Sequence, residues 1–119
     1  MANRASPSGI IDITTAVNNG QTATITSVIS DFELVWVVLT GADGCIATVK
    51  KNGVTAAVAT YHVENGGDPT NSCVITNAQT SFATSDVLTI AVTGANASRI
   101  TLMTRFPDAY ADSLTVAVA

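Results

Sequence analysis

A chain with one histidine has few routes to acid–base chemistry. Here that residue, His62, lies in Ala59-Thr-Tyr-His-Val63, a stretch that reads as strand. One histidine makes no two-histidine metal site and no HExxH or His-Cys cluster. No G-x-S-x-G elbow offers a nucleophilic serine. A hydrolase would need an acidic or nucleophilic neighbour for His62; without one it reads as a surface or interface side chain. The carboxylates Asp12, Asp31, Glu33, Asp43, Glu64, Asp68, Asp86, Asp108 and Asp112 are scattered and mostly sit beside turns, where such side chains tighten the backbone.

Calcium wants six to eight oxygens, and the loop Glu64-Asn-Gly-Gly-Asp-Pro-Thr-Asn71 offers several. It lacks the D-x-[DN]-x-[DN]-G spacing and reads as a turn. Asn96-Ala97-Ser98 is a formal glycosylation acceptor that also reads as a turn. Cys45 and Cys73 are far apart, without C-x-x-C pairing. Buried free thiols are expected, because cysteine packs as a small hydrophobe; a disulfide stays open if their strands face each other, although a reducing cytosol disfavours it. Trp36 lies in the most apolar stretch and reads as core, while Tyr61 and Tyr110 are isolated from each other. No catalytic, cofactor-binding or metal-binding residue is assigned, and no cofactor is expected.

The elements that would position these residues are strands. Thr, Val and Ile abound, and β-branched side chains fit a pleated surface. Period-2 alternation recurs in Thr22–Ile29, Cys45–Lys50, Leu88–Thr93, Ile100–Met103 and Leu114–Val118. Further strands are read at Ile10–Val17, Phe32–Thr40, Val54–Val63 and Ser72–Thr76. Asn52-Gly53 tolerates the positive φ angles of a two-residue hairpin turn, so Cys45–Lys51 and Val54–Val63 should pair antiparallel. Eight or nine short strands with turns between them predict an all-β, antiparallel two-sheet sandwich, most simply a jelly roll. Its expected core includes Ile25, Leu34, Trp36, Val49, Leu88, Ile90, Ile100 and Leu102. Residues 10–119 form the expected domain. Residues 1–9, with Pro7, Gly9 and one charge, form an expected extended arm, and either Ala2–Ile10 or Ala109–Ala119 is expected to lie against a partner chain.

At 119 residues the chain is one domain of ordinary size. Charged residues are only 12%, about half the usual share, so Thr, Ser, Asn and Ala must face much of the water. A free monomer so poor in charge is weakly protected against association. Phe32-Glu-Leu-Val-Trp-Val-Val-Leu39 is apolar on both faces after Glu33, as in a strand covered on both sides. A loop or a neighbouring subunit would cover the second face. Net charge is −4, and Arg4, Lys50, Lys51, Arg99 and Arg105 form no run longer than two. That argues against nucleic-acid binding, which needs clustered positive charge. The longest apolar run is too short for a membrane helix. The first residues lack the apolar core of a secretion signal, so synthesis and assembly in a cytosol are expected.

The segment Thr22–Gly53, with Ser30-Asp-Phe-Glu-Leu34, Leu39-Thr-Gly-Ala-Asp43 and Lys50-Lys-Asn-Gly53, resembles small structural proteins of tailed bacteriophages. Asp86-Val-Leu-Thr-Ile90 and Arg99-Ile-Thr-Leu102 are similar to strands of the same class. The resemblance is one of style and covers about two-thirds of the chain. It implies a capsid decoration or cement protein: a non-enzymatic jelly roll, sitting as a homotrimer on the virion and bound to capsid protein, assembled in the host cytoplasm. The alternative is a sugar- or receptor-binding module of a tail or surface appendage, which would present two coplanar aromatics on an open face.

Overall fold

A computed structural model describes residues 4–6, 10–25, 31–64, 67–76, 80–83, 85–105 and 116–119. Eleven strands run through them: β1 (Arg4–Ser6), β2 (Ile10–Ile13), β3 (Thr22–Ile25), β4 (Phe32–Gly41), β5 (Ile46–Lys51), β6 (Val54–Val63), β7 (Pro69–Ile75), β8 (Ser81–Phe82), β9 (Leu88–Thr93), β10 (Ala97–Arg105) and β11 (Val116–Val118). They form two antiparallel sheets, ordered β1-β2-β10-β4-β8 and β11-β3-β9-β5-β6-β7.

The pairing is nested. β2 pairs with β10, β3 with β9, β4 with β8 and β5 with β6. A long hairpin rolled so that successive strands alternate between two sheets gives this order, which is the jelly roll expected from the sequence. Added to those eight strands are β1 and β11 on two edges, and β7 beyond β6.

The core lies between the sheets and is built by alternation. Ala23 and Ile25 of β3, Ala47 and Val49 of β5, Leu88, Ile90 and Val92 of β9, and Ile100 and Leu102 of β10 are buried, while their neighbours in sequence face outward. Ala56, Ala57 and Ala59 line the buried side of β6. Their small side chains let β4 of the facing sheet lie close beneath. The turn between β5 and β6 forms as expected, with φ of 49° at Asn52 and 82° at Gly53. It is fastened from outside: Asn52 donates its side-chain amide to Asp86 at 2.8 Å and accepts the Val87 N–H at 2.8 Å.

Several sequence expectations change. The Ile10–Val17 strand ends at Ile13, and Val17 makes only an isolated bridge to Ala97. Of the expected arm, Arg4–Ser6 pairs with the chain's own β2, so this part adds to its own sheet; the rest lies outside the described residues. So do 26–29 of the expected Thr22–Ile29 strand and 114–115 of Leu114–Val118.

Candidate functional site, an apolar sheet face

The main departure from simple alternation is in β4. Against β10, Trp36 pairs with Met103 but Leu34 pairs with Thr104, leaving Val35 as an extra residue. This is a β-bulge, in which two residues of one strand oppose one of the other. Its effect is to move the phase of the strand by one. Leu34, Val37 and Leu39 are buried, while Val35, Trp36 and Val38 face out. Strict alternation puts Leu34 and Trp36 on one side and makes both core. Leu34 is buried, but Trp36 is 40% exposed, and its assignment to the core is corrected.

The register then aligns residues from three strands. Ile10 of β2 lies opposite Met103 of β10, and Met103 opposite Trp36 of β4. The next outward row is Asp12, Thr101 and Val38. Ile10, Val35, Trp36, Val38 and Met103 are all among the exposed large hydrophobics, and together they make an apolar patch on the outer face. Single exposed apolar residues need no explanation; a contiguous group on one face does.

Ion pairs stand on both sides of the patch along β10. Arg99 grips Asp12 with two parallel bonds, Nε to Oδ1 at 2.9 Å and Nη2 to Oδ2. Thr101 adds its hydroxyl to Oδ1 at 3.1 Å. Asp12 is 7% exposed, so its charge is compensated where solvent cannot reach it. The hydrogen bonds and charge of Asp12 hold the Arg99 guanidinium protonated beyond its ordinary range. At the other end, Arg105 donates to Glu33 at 2.8 Å. The face is thus an apolar centre flanked by planar, bidentate-capable charge.

The other candidates are arranged differently. His62 does have acidic neighbours: Nδ1 lies 2.8 Å from Asp43 Oδ1 and Nε2 3.8 Å from Glu64. The absence of such neighbours therefore does not exclude a hydrolase. Both ring nitrogens face carboxylates, Asp43 within hydrogen-bond distance and Glu64 beyond it. Asp43 also accepts the Val63 N–H at 2.9 Å; that bond first, and His62 second, hold its carboxyl below the usual range. The arrangement pins the turn after β4 to the end of β6. Among the described residues of the Glu64–Asn71 loop, Glu64 donates its backbone N–H to the Asp68 carbonyl, which is turn geometry. Among the described residues no group of three His, Cys, Asp or Glu is placed to hold a metal ion.

Cys45 and Cys73 are free, Cys45 fully buried and Cys73 partly so. Burial pushes both thiols up. Cys73 and Asn71 point inward from β7, and Asn71 donates its side-chain amide to the Leu39 carbonyl, satisfying backbone of β4 where β8 no longer runs alongside. An open cleft of about 380 Å³ lies near the Asn52 turn, lined by Asp31, Glu33, Lys51, Ser81 and Asp86. Its aromatic floor, Phe32 stacked on Phe82 with centroids 5.0 Å apart, is buried and unavailable to a ligand ring. Sequence reasoning missed Ile10 and Met103 as surface partners of Trp36. The only signal was the run of six apolar residues from Leu34 to Leu39, too long for strict alternation. No family model matches the chain, and no curated protein matches it.

Proposed function

We propose that the chain is a non-enzymatic structural protein of a virion, a decoration or cement protein that stabilises a capsid by docking on it through the outer face of the β2-β10-β4 sheet. The observation that carries this reading is the apolar row Ile10–Met103–Trp36, widened by Val35 and Val38 and bordered by two ion pairs. Interface centres are depleted in charge and enriched in Trp, Met and Arg, with polar rims. The partner is a coat-protein surface that covers the patch and offers hydrogen-bond acceptors to Arg99 and Arg105. The low charge of the whole chain fits a surface that is largely covered in the assembled particle.

Sugar or receptor binding on a tail is the second reading. It draws on Trp36 as an exposed aromatic, but a sugar platform wants a second ring coplanar with it. Among the described residues Trp36 has none: Phe32 and Phe82 are buried and Tyr61 stands on β6 of the other sheet, while Phe106 and Tyr110 lie outside the described residues.

The test is co-sedimentation of the purified chain with capsids assembled from the coat protein encoded alongside it. The chain should pellet saturably with the capsids, and a Trp36→Ser, Met103→Ser double variant should stay in solution while remaining folded. Equal pelleting of both would reject this face. Pelleting of neither, together with a blue shift of Trp36 fluorescence on adding oligosaccharide, would favour the second reading.

A further inference from the structure

Edge strands expose a row of unpaired N–H and C=O groups, and proteins blunt them with charge, internal proline, bulges or brevity. Among the described residues three edges are short: β1 and β11 have three residues each and β8 has two. The fourth, β7, has seven. It pairs with β6 in an unbroken register from Val63↔Pro69 to Ala57↔Ile75, without a bulge. Its only proline is its first residue, and the sequence carries no charge between Asp68 and Asp86.

The phase of its hydrogen bonds can be read. Thr76 donates its N–H to the Ala56 carbonyl at 2.8 Å, continuing the same register. Alternation from that bond turns the backbone groups of Ser72 and Val74 toward β6, and those of Asn71, Cys73 and Ile75 toward the open side. On that open side Val74 occupies a non-hydrogen-bonded position, where facing side chains come closest, with Cα atoms about 4.5 Å apart. Val74 is also 70% exposed, the most exposed large hydrophobic among the described residues. Across the sheet its outward neighbour is Val58.

We propose that β7 pairs antiparallel with β7 of a second copy of this chain, about a twofold axis beside Val74. Each Val74 then covers the other, and Val58 and Val74 of both copies form one apolar strip across the joint. The N–H and C=O of Cys73 and Ile75 exchange with those of Ile75 and Cys73 in the second copy. A twofold contact is self-complementary, so the same stretch, Ser72 to Thr76, pairs in both copies at once. Only Ser, Cys, Val, Ile and Thr oppose one another, so no like charges meet. The pairing needs no particle and stands apart from the docking of the other sheet on a capsid.

The test compares Val74→Cys with Val54→Cys, a second exposed valine, on the hairpin. Under mild oxidation with copper phenanthroline, Val74→Cys should become mainly a covalent dimer of twice 12.1 kDa, while Val54→Cys gives no more dimer than the unaltered chain. In sedimentation from micromolar to submillimolar concentration, the unaltered chain should shift from monomer to dimer. Val74→Lys, folded by circular dichroism, should stay at 12.1 kDa throughout. Cross-linking of Val74→Cys no better than that of Val54→Cys overturns the pairing. So does a dimer that survives Val74→Lys, or an unaltered chain that stays monomeric over the whole range.

Discussion

The two outer faces of this sandwich are made from the same kinds of strand and come out opposite in character. On the β11-β3-β9-β5-β6-β7 sheet, the outward rows are largely threonine: Thr22, Thr24, Thr48, Thr60, Thr89 and Thr93 stand on four strands. Ile46, Val58 and Ala91 stand among these threonines on the same outward rows, where short hydroxyl side chains supply most of the contact with water. On the β2-β10-β4 sheet the outward rows hold Ile10, Met103, Trp36 and Val38. One bulge, at Val35, separates the two outcomes in β4. A bulge in this position aims a tryptophan outward without giving up Leu34, Val37 or Leu39 as core. Bulges that re-aim side chains are features to be explained by what the side chain meets. The difference teaches that one local bulge is enough to turn large apolar side chains outward on one sheet while threonine dominates the outward rows of the other.

The sharpest way to break this comparison is a pair of deletions. β9 pairs with β3 and β5 without any register shift, so deleting Ala91 forces Val92 or Ile90 to the wrong face. That variant should lose cooperative unfolding altogether. Deleting Val35 removes the bulge residue and leaves Leu34 in, Trp36 out and Val37 in. This chain should stay folded and lose only ~1 kcal/mol, a typical single-site effect. Urea titration of both decides; equal collapse would mean the bulge is integral to the fold. Next come truncations. Leu102→Ala, in the core, should cost ~2–5 kcal/mol. Trp36→Ala should cost about 1 kcal/mol, since only part of its area is buried, and under the proposed docking it should remove capsid binding. Thr48→Ala, on the threonine face, should stay within ~0.5 kcal/mol and leave binding intact. A Trp36→Ala penalty as large as that of Leu102→Ala would mean the outer patch is a second core.

Much of the fold was legible because period 2 survives wherever a strand keeps strict register. Ile25, Leu34, Val49, Leu88, Ile90, Ile100 and Leu102 are buried as their spacing implies, and Asn52-Gly53 turns as its chemistry requires. Trp36 was misread because a bulge adds one residue locally, and its partner across the ladder lies 67 positions away, at Met103. β8 and β1 are too short to leave a period at all. β7 begins at Pro69 and carries polar residues at Asn71 and Ser72, which hid its first half in the preceding loop. The candidate face was least legible, because Ile10, Met103 and Trp36 meet only through pairings between distant strands. The carboxylates around His62 were hidden for the same reason on the Asp43 side, 19 residues away.

The smallest effect expected concerns the two rims that join the sheets, and it separates them by acid. At one rim Asp86 accepts the Ala83 N–H at 2.8 Å, accepts the Asn52 amide and stands 3.9 Å from Lys51. At the other, Asp43 accepts the Val63 N–H and faces His62. Both carboxyls are held below the usual aspartate range, Asp86 chiefly by Ala83 and then Asn52, Asp43 chiefly by Val63 and then His62. A carboxyl whose folded value lies below its unfolded value binds protons more readily in the unfolded chain. It therefore adds stability at all pH above the unfolded value of ~3.9, and that addition fades as pH falls through the folded value. Stability should be flat from neutral pH to about 5 on account of these two groups, and then fall toward pH 2. Asp86→Asn should flatten part of that fall and Asp43→Asn another part, with the double variant the flattest. Urea midpoints measured every half unit of pH would show this; an acid limb equally steep in the double variant would mean that neither rim is fastened by its aspartate.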